Sequence, residues 1–295
     1  MKIGFVGLGR MGFHMVERLL LKKHKVVAYN RSSDKTKKIS KKGAEAVFSL
    51  EELAGKLGKK KIIWLMLPAG KVTDDTIKKL LKLLTKGDII INGANSYYQN
   101  AQRQSKLCKK YGIHLFDAGV SGGVWGLTRG YALMVGGPKS QFKYIEPFCK
   151  TLAPKNGYGY FGTVGMGHYV KSVHNVVEYV MMEGLAEGME LLHRKKLDYV
   201  KAAKVWQPAS IVTSSLLDWT VMAMQRPDFK KISTKINSVT IEELEHTVKS
   251  VRGFAPGFEK ARQIRCCTPD RKFGLGKRII AAIRREFGGH AVTKK

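Results

Sequence analysis

Acidic side chains are scarce in this chain: 23 Asp and Glu stand against 53 Lys and Arg, a formal net charge of +30 at pH 7. A field of that sign repels cations and draws in anionic partners, phosphorylated substrates among them. The basic residues are scattered in short runs such as Lys22–Lys23, Lys37–Lys38, Lys41–Lys42 and Lys59–Lys61, with no confined patch interleaved with aromatics. No specific nucleic-acid reader is therefore expected, while non-specific polyanion binding stays open. Cysteine is also scarce. Cys108, Cys149, Cys266 and Cys267 show no metal-ligand spacing, so no metal site is expected, and the adjacent pair is poorly placed to bridge to itself. A reducing cytoplasm is the expected compartment. No apolar run approaches the roughly 20 residues that cross a bilayer, and Met1-Lys2 leads straight into Ile3–Val6, so neither a membrane span nor a secretion signal is read here. Repeats and low-complexity linkers are missing too. What is present is 295 residues of 44% hydrophobic composition, enough for a sizeable core and more naturally two domains than one.

The first of these begins with the apolar run Ile3–Val6, then Gly7-Leu8-Gly9-Arg10-Met11-Gly12, helix-like sequence from Phe13 to Leu21, and a second strand over Lys25–Asn30. A Gly-x-Gly-x-x-Gly run between strand and helix gives a tight turn and lets a pyrophosphate approach the backbone at a helix N-terminus. Alone the motif is weak; in this βαβ setting it predicts a dinucleotide site. The end of the second strand chooses the dinucleotide. An acidic residue there would accept hydrogen bonds from the adenosine ribose of NAD, but the chain reads Asn30-Arg31-Ser32-Ser33-Asp34-Lys35. Arg31 can fork onto a 2′-phosphate, Ser32 can donate to it and Lys35 adds charge, so NADP is the expected cofactor.

Further strands are read at Lys61–Leu67, Asp88–Asn92, His114–Asp117 and Tyr131–Val135, most preceded by helix-like sequence, which implies a parallel sheet. Loops at the carboxyl ends of such strands line the ligand crevice, placing Leu67, Pro68, Ala69 and Asn95 beside the cofactor. The turn Ser121-Gly122-Gly123 offers a hydroxyl and backbone amides as a cradle for a carboxylate or phosphate. The fold class is thus α/β followed by all-α: a Rossmann-type domain over 1–163, and a helical substrate and oligomerisation domain over 164–295, with Trp206, Leu216, Leu217 and Trp219 as core candidates.

Opening the second domain, Lys171, His174, Asn175 and Glu178 recur at spacings of three and four and so share one helix face. Val170, Val173, Val176, Val177, Val180 and Met181 surround them, the pattern of a helix packed inside a domain. Buried ionisable groups are costly unless paired or put to chemical use. Two turns, roughly 10 Å, separate Lys171 from Glu178, which suits a general base and a general acid acting on different atoms of one extended polyol acid.

Taken together, Gly7–Gly12, Asn30-Arg31-Ser32, Met66–Gly70, Gly87–Ser96, Val120–Gly126, Gly167–Tyr179 and Phe287–Ala291 make the chain resemble the decarboxylating 6-phosphogluconate dehydrogenases, of the short type, over nearly its whole length. The related β-hydroxyacid dehydrogenases are less similar at His174-Asn175 followed by Glu178-Tyr179. The resemblance implies oxidation of 6-phosphogluconate to ribulose 5-phosphate and CO2 with reduction of NADP+, in pentose or gluconate metabolism and without a metal. Lys171 matches the family's general base and Glu178 its general acid. Ser121, Gly122 and Gly123 would hold the substrate's carboxylate end, Asn95, His174 and Asn175 its hydroxyls, and Tyr179 would face the phosphate. Arg284 and His290 match residues that reach into a neighbouring subunit, implying a homodimer or homotetramer, and a remaining phosphate-binding arginine falls to Arg265 or Arg271. The chain departs from the pattern at Val176 and Val180, where the family has glycines, at Asn92 and Ala94 where it has an aspartate and a glycine, at Gln207-Pro208-Ala209, and over 233–240, where a glycine-rich stretch is missing. These departures keep two alternatives in view, a dehydrogenase of the wider β-hydroxyacid family and a nucleotide- or polyanion-binding relative without turnover.

Overall fold

A computed structural model describes residues 1–236 and 241–294; the part of the altered 233–240 stretch that falls on 237–240 lies outside them. The chain divides into two compact units, Met1–Ser172 and Val173–Lys295. The division falls inside a helix, nine residues beyond the boundary expected from composition, because that helix continues without a break across it.

The first unit is a sheet of eight strands, β1 (Lys2–Val6), β2 (Lys25–Tyr29), β3 (Glu45–Val47), β4 (Ile62–Leu65), β5 (Ile89–Asn92), β6 (His114–Ser121), β7 (Ala132–Gly136) and β8 (Tyr158–Tyr160), in spatial order β3-β2-β1-β4-β5-β6-β7-β8. Its helices are α1 (Arg10–Leu21), α2 (Ser33–Ser40), α3 (Leu50–Lys56), α4 (Lys71–Leu80), α5 (Tyr98–Lys110), the single turn α6 (Gly126–Arg129), and α7 (Lys139–Leu152). The central strands are apolar apart from Lys2 and Lys25 at their starts and Asn92 at the end of β5, because both faces are covered. Ile3, Phe5, Val26, Ala28, Trp64 and Ile91 point to the face closed by Met15 and Leu19 of α1 and Phe148 of α7. Their chain neighbours Val27, Ile63, Leu65 and Ile90 point to the face closed by Leu53, Ile77, Leu80 and Cys108, as the two-residue period of a strand requires.

The sheet is parallel-dominated, as expected, with the one exception that β7 runs antiparallel to β6. The connection between them holds only a 3-10 turn at Gly123–Trp125 and α6, and lacks the long helix that a parallel crossover requires. Strand order reverses between β1 and β4, where a doubly wound sheet opens a crevice beyond its carboxyl edge.

α8 (Met166–Arg194) begins in the first unit. The second unit contains the rest of it with α9 (Tyr199–Trp206), α10 (Ser215–Gln225), α11 (Ile241–Ser250), α12 (Pro256–Cys267) and α13 (Asp270–Gly288). Met182, Ala186, Met189, Leu217, Val221, Ile279 and Ile283 form its core, with Trp206 and Trp219 packed at the edge. α13 is kinked at Phe273, ends at Gly289 in the left-handed region (φ 59°), and is followed by a segment pinned by the Ser233 amide donating to the Thr293 carbonyl at 2.8 Å. None of the helices among the described residues is long and apolar enough to cross a membrane.

Candidate functional site

The glycine loop after β1 divides its work among three glycines. Gly7 turns the chain at φ +99°, and a Cβ there would lie 2.3 Å from the Met66 carbonyl oxygen; one on Gly12 would lie 2.1 Å from the Gly7 carbonyl oxygen. Both contacts demand glycine. A Cβ on Gly9 would meet nothing within 4 Å, so the loop is open on the side where α1 begins, and no side chain caps its first amides. Tight turn, close helix packing and an open run of backbone amides fit a dinucleotide pyrophosphate. Leu8 is buried, Arg10 is exposed and Met11 half-buried.

Asn30, at the end of β2, accepts a hydrogen bond from the Leu8 amide at 2.9 Å and donates to the Ser32 carbonyl at 3.1 Å. The position at which an acid would meet the ribose is therefore tied to the loop itself. Arg31 and Ser32 are exposed beyond it, and the Ser32 hydroxyl makes no capping bond to α2. Leu67 is half-buried and Pro68 and Ala69 are exposed on the loop after β4, which the Thr73 hydroxyl anchors by donating to the Pro68 carbonyl at 2.8 Å.

The loop after β5 is held from beneath. Asn92, fully buried, donates to Gln104 Oε1 at 2.8 Å and accepts from the Ala94 amide at 3.0 Å, while Gln104 donates to Asp74 at 2.8 Å. This frame leaves Asn95 exposed. At the end of β6, Ser121 is half-buried and followed by Gly122 and Gly123 at φ +137° and +56°.

Lys171 is brought to these loops by a docking sequence reasoning did not assign. Asp117, buried on β6, accepts from the Gly165 amide at 2.6 Å and the His168 amide at 2.7 Å, one carboxylate oxygen each, and so holds the N-terminus of α8. His168 Nε2 lies 3.1 Å from the Asn92 carbonyl oxygen. Burial pushes the Asp117 carboxyl above the usual carboxylate range and the His168 imidazole below its own. A Cβ on Gly167 would lie 2.3 Å from the Met134 carbonyl oxygen, and one on Gly119 2.4 Å from Cβ of Lys171, so α8 sits on the sheet backbone and the Lys171 stem crosses β6 two residues before Ser121. Lys171 is 7% exposed. An aspartate at a strand end and a Gly-x-Gly-His lead into a helix were the available signals.

Within α8 the polar stripe faces inward and the valines outward, which corrects the expectation of a helix apolar on its packed faces. Lys171, Asn175, Tyr179, Met182, Ala186 and Met189 form one buried stripe, whereas Val173, Val177, Val180 and Met181 are exposed and Val170 and Val176 half-buried. The stripe changes from polar to apolar along its length, so hydrophobicity alone misreads its first half.

In the second unit His174 Nδ1 lies 3.1 Å from Asn175 Oδ1 and 3.7 Å from Glu178 Oε2. Tyr179 is buried beneath Arg265, whose guanidinium lies 3.7 Å from the ring centroid and reaches the Tyr179 carbonyl and Glu183 Oε2, each at 3.5 Å. Arg284 is buried in the same unit and feels Tyr179, Arg265 and Glu178 electrostatically. Burial lowers the pKa of both arginines, with Tyr179 and Glu178 opposing. Arg271 is exposed, and His290 is half-buried beside Phe287. Next to Arg265, the sulfurs of the adjacent Cys266 and Cys267 lie side by side.

Residues 2–165 match the family described as the NAD binding domain of 6-phosphogluconate dehydrogenase. YqeC of Bacillus subtilis (strain 168), named only provisionally as a 6-phosphogluconate dehydrogenase, is 35% identical over 302 residues, with all of both chains covered. An NAD(+)-dependent, decarboxylating 6-phosphogluconate dehydrogenase of Haloferax volcanii is 39% identical over 221 residues, covering 74% of this chain and 73% of its own. The Plasmodium falciparum 6-phosphogluconate dehydrogenase, solved alone, with NADP+ and with 6-phosphogluconate, superposes with a TM-score of 0.79 at 28% identity, covering 90% of this chain and 61% of that one. Mycobacterium tuberculosis 3-hydroxyisobutyrate dehydrogenase, at 21% identity and a TM-score of 0.74 over 96% of this chain and 99% of that one, shares the fold.

Proposed function

Because the chain belongs to the 6-phosphogluconate dehydrogenase family, we propose that this oxidoreductase carries out the oxidative decarboxylation of 6-phosphogluconate to ribulose 5-phosphate and CO2 with NADP+ as acceptor. The observation that carries the reading is Lys171, buried at 7% exposure on a helix whose first turn Asp117 and His168 fix, with Glu178 two turns further along the same face. A nicotinamide dinucleotide bound at the glycine loop supplies the hydride acceptor. Lys171 takes the proton of the hydroxyl on the substrate's third carbon as hydride leaves that carbon. The resulting ammonium then hydrogen-bonds the ketone, drawing electrons from the departing carboxylate and returning a proton to the oxygen. Glu178 protonates the carbon that lost CO2. By the family resemblance, Ser121, Gly122 and Gly123 hold the carboxylate end; Asn95, His174 and Asn175 hold hydroxyls; Tyr179 and Arg265 hold the phosphate; and Arg284 and His290 reach the pocket of a neighbouring subunit. Of the two candidate arginines, Arg265 is buried against Tyr179 and Arg271 is exposed, which favours Arg265.

NADP+ over NAD+ is supported by exposed Arg31 and Ser32 and by the absence of an acid at Asn30; the name of the Haloferax relative makes NAD+ the competitor. Self-association belongs to the same reading, supported by exposed Val173, Val177, Val180 and Met181 along one side of α8, as does a cytoplasmic setting.

Purified protein mixed with 6-phosphogluconate and either dinucleotide should reduce NADP+ faster and release CO2 in equal amount. Lys171→Met should lower kcat by about 10²–10⁴ while dinucleotide affinity stays nearly unchanged; undiminished turnover would remove Lys171 from the mechanism. A second reading, another hydroxyacid as substrate, is favoured by Gln207, whose amide is engaged with Asp218 at 3.0 Å in a segment that departs from the family. A substrate panel in which only 6-phosphogluconate reacts rejects it. Heparin retention with no turnover on any sugar acid would point instead to a binding protein.

A further inference from the structure

α8 carries a carboxylate that the proposed reaction does not use. Glu183 is 4% exposed and Arg265 is 5% exposed, yet the ion pair between them is long, 3.5 Å from Oε2 to Nε. Each side is half-satisfied: Glu183 Oε1 and Arg265 Nη1 are buried with no hydrogen-bond partner. A guanidinium and a carboxylate optimised for each other form a two-pronged pair that uses all four atoms. This pair instead leaves a donor and an acceptor buried and unmatched, a costly arrangement that a purely structural ion pair has no reason to keep. Arg265 from α12 and Arg284 from α13 are buried in the same unit, Arg265 adding positive potential at Arg284, and Glu183 is the buried carboxylate paired with Arg265. Glu178 and Tyr179 of α8 face the two arginines, and Glu187 of α8 faces Glu183.

We propose that Glu183 is an internal stand-in for a ligand's anion: its carboxylate holds Arg265 until a dianionic group takes over the guanidinium, whereupon Glu183 accepts a proton from solvent. The inference deepens the preceding reading and rests on its placement of the substrate phosphate at Tyr179 and Arg265. A carboxylate that surrendered Arg265 to a dianion would otherwise sit unpaired in low dielectric beside two further negative charges, and buried carboxylates in that situation neutralise. Burial has already pushed the Glu183 carboxyl up to about 7, with Arg265 pulling it down and Glu187 adding to the rise, so the proton is available near neutral pH. One proton is taken up per dianion bound, and no covalent bond changes. Selection for charge follows. A monoanion brings Arg265 no more charge than Glu183 already does, whereas a dianion does.

Sulfate is the probe, because it stays a dianion from mildly acidic to alkaline pH whereas a phosphate changes charge near neutrality. Titration calorimetry of the unaltered protein in buffers of different ionisation enthalpy should show uptake approaching one proton per sulfate at pH 8 and little at pH 6. Affinity should fall about fivefold between pH 7 and pH 8, the loss of protonated Glu183 for a midpoint near 7. In Glu183→Gln both the uptake and this pH dependence should vanish, and Arg265→Met should abolish binding. Sulfate binding without proton uptake at pH 8, uptake that persists in Glu183→Gln, binding that survives Arg265→Met, or no saturable binding at all would each overturn the proposal. The uptake in the unaltered protein decides the matter even if a variant does not fold. Because the titration needs neither dinucleotide nor turnover, it reads out whether or not 6-phosphogluconate proves to be the substrate.

Discussion

Gly119 has no side chain because Lys171 occupies the place one would take, with its Cβ 2.4 Å from where the missing carbon would stand. Gly119→Ala must therefore lift α8 from β6. Overpacking of this kind costs about 1–3 kcal/mol, readable in urea unfolding, and turnover should fall more than dinucleotide affinity because the lysine proposed as general base moves and the glycine loop does not. Glu183 gives a residue-scale dependence on pH. Its folded pKa, raised by burial to about 7, lies above its value of 4.5 without that burial, so the folded form holds the proton more tightly than the unfolded chain does. The stabilisation is fully present below about pH 4.5 and is lost as pH rises through 7, by up to about 3 kcal/mol. Relative to Glu183→Gln, the unaltered protein should thus lose stability between pH 5 and pH 8 in parallel melts; identical pH trends would refute the assignment.

At the scale of elements, the N-terminus of α8 is the joint on which the site depends. Asp117 satisfies two amides that otherwise have no helical partner, and His168 ties the same turn to the end of β5, next to the loop that bears Asn95. Asp117→Ala leaves both amides buried and unmatched, at about 1–3 kcal/mol apiece. The expected result is a lower melting temperature together with a kcat loss, while dinucleotide affinity, set by the loop after β1, is retained. Unchanged kcat in a folded Asp117→Ala protein would show that the helix register does not depend on this cap. Sequence pattern delivers such elements unevenly. β1, β2, β4 and β5 are legible because strands buried on both faces must be apolar along most of their length. β3 and β8 escape because each is three residues long, too short for an alternation to register. The continuation of β6 through Gly119 to Ser121 reads as loop, since its glycine suits a close helix approach better than it suits a strand.

For the whole molecule, the exposed stripe Val173, Val177, Val180 and Met181 on α8 is the surface that a second copy would cover under the proposed function. Val177→Lys should then shift the sedimentation coefficient toward the monomer value, and an unchanged assembly would place the contact elsewhere. That surface also shows how reading one helix face depends on the whole fold. A helix with polar residues on one side and valines on the other is equally compatible with either side inward, and the choice belongs to whatever packs against it. Here a backbone approach at Gly119 and Gly167 accepts the lysine side.

The sequence by itself determines the dinucleotide loop, the alternation that builds the sheet, the helical second half, and the spacing of Lys171, His174, Asn175 and Glu178, because each follows from residue type and from the local periods of helix and strand. Only the tertiary structure decides that this stripe is the buried one, that Asp117 and His168 hold it, that Arg265 and not Arg271 lies on Tyr179, and that Glu183 confronts Arg265 across 82 residues of chain. Those facts rest on contacts between distant segments, and the energy of such a contact is set by burial and by its partners, neither of which is written in the neighbouring residues.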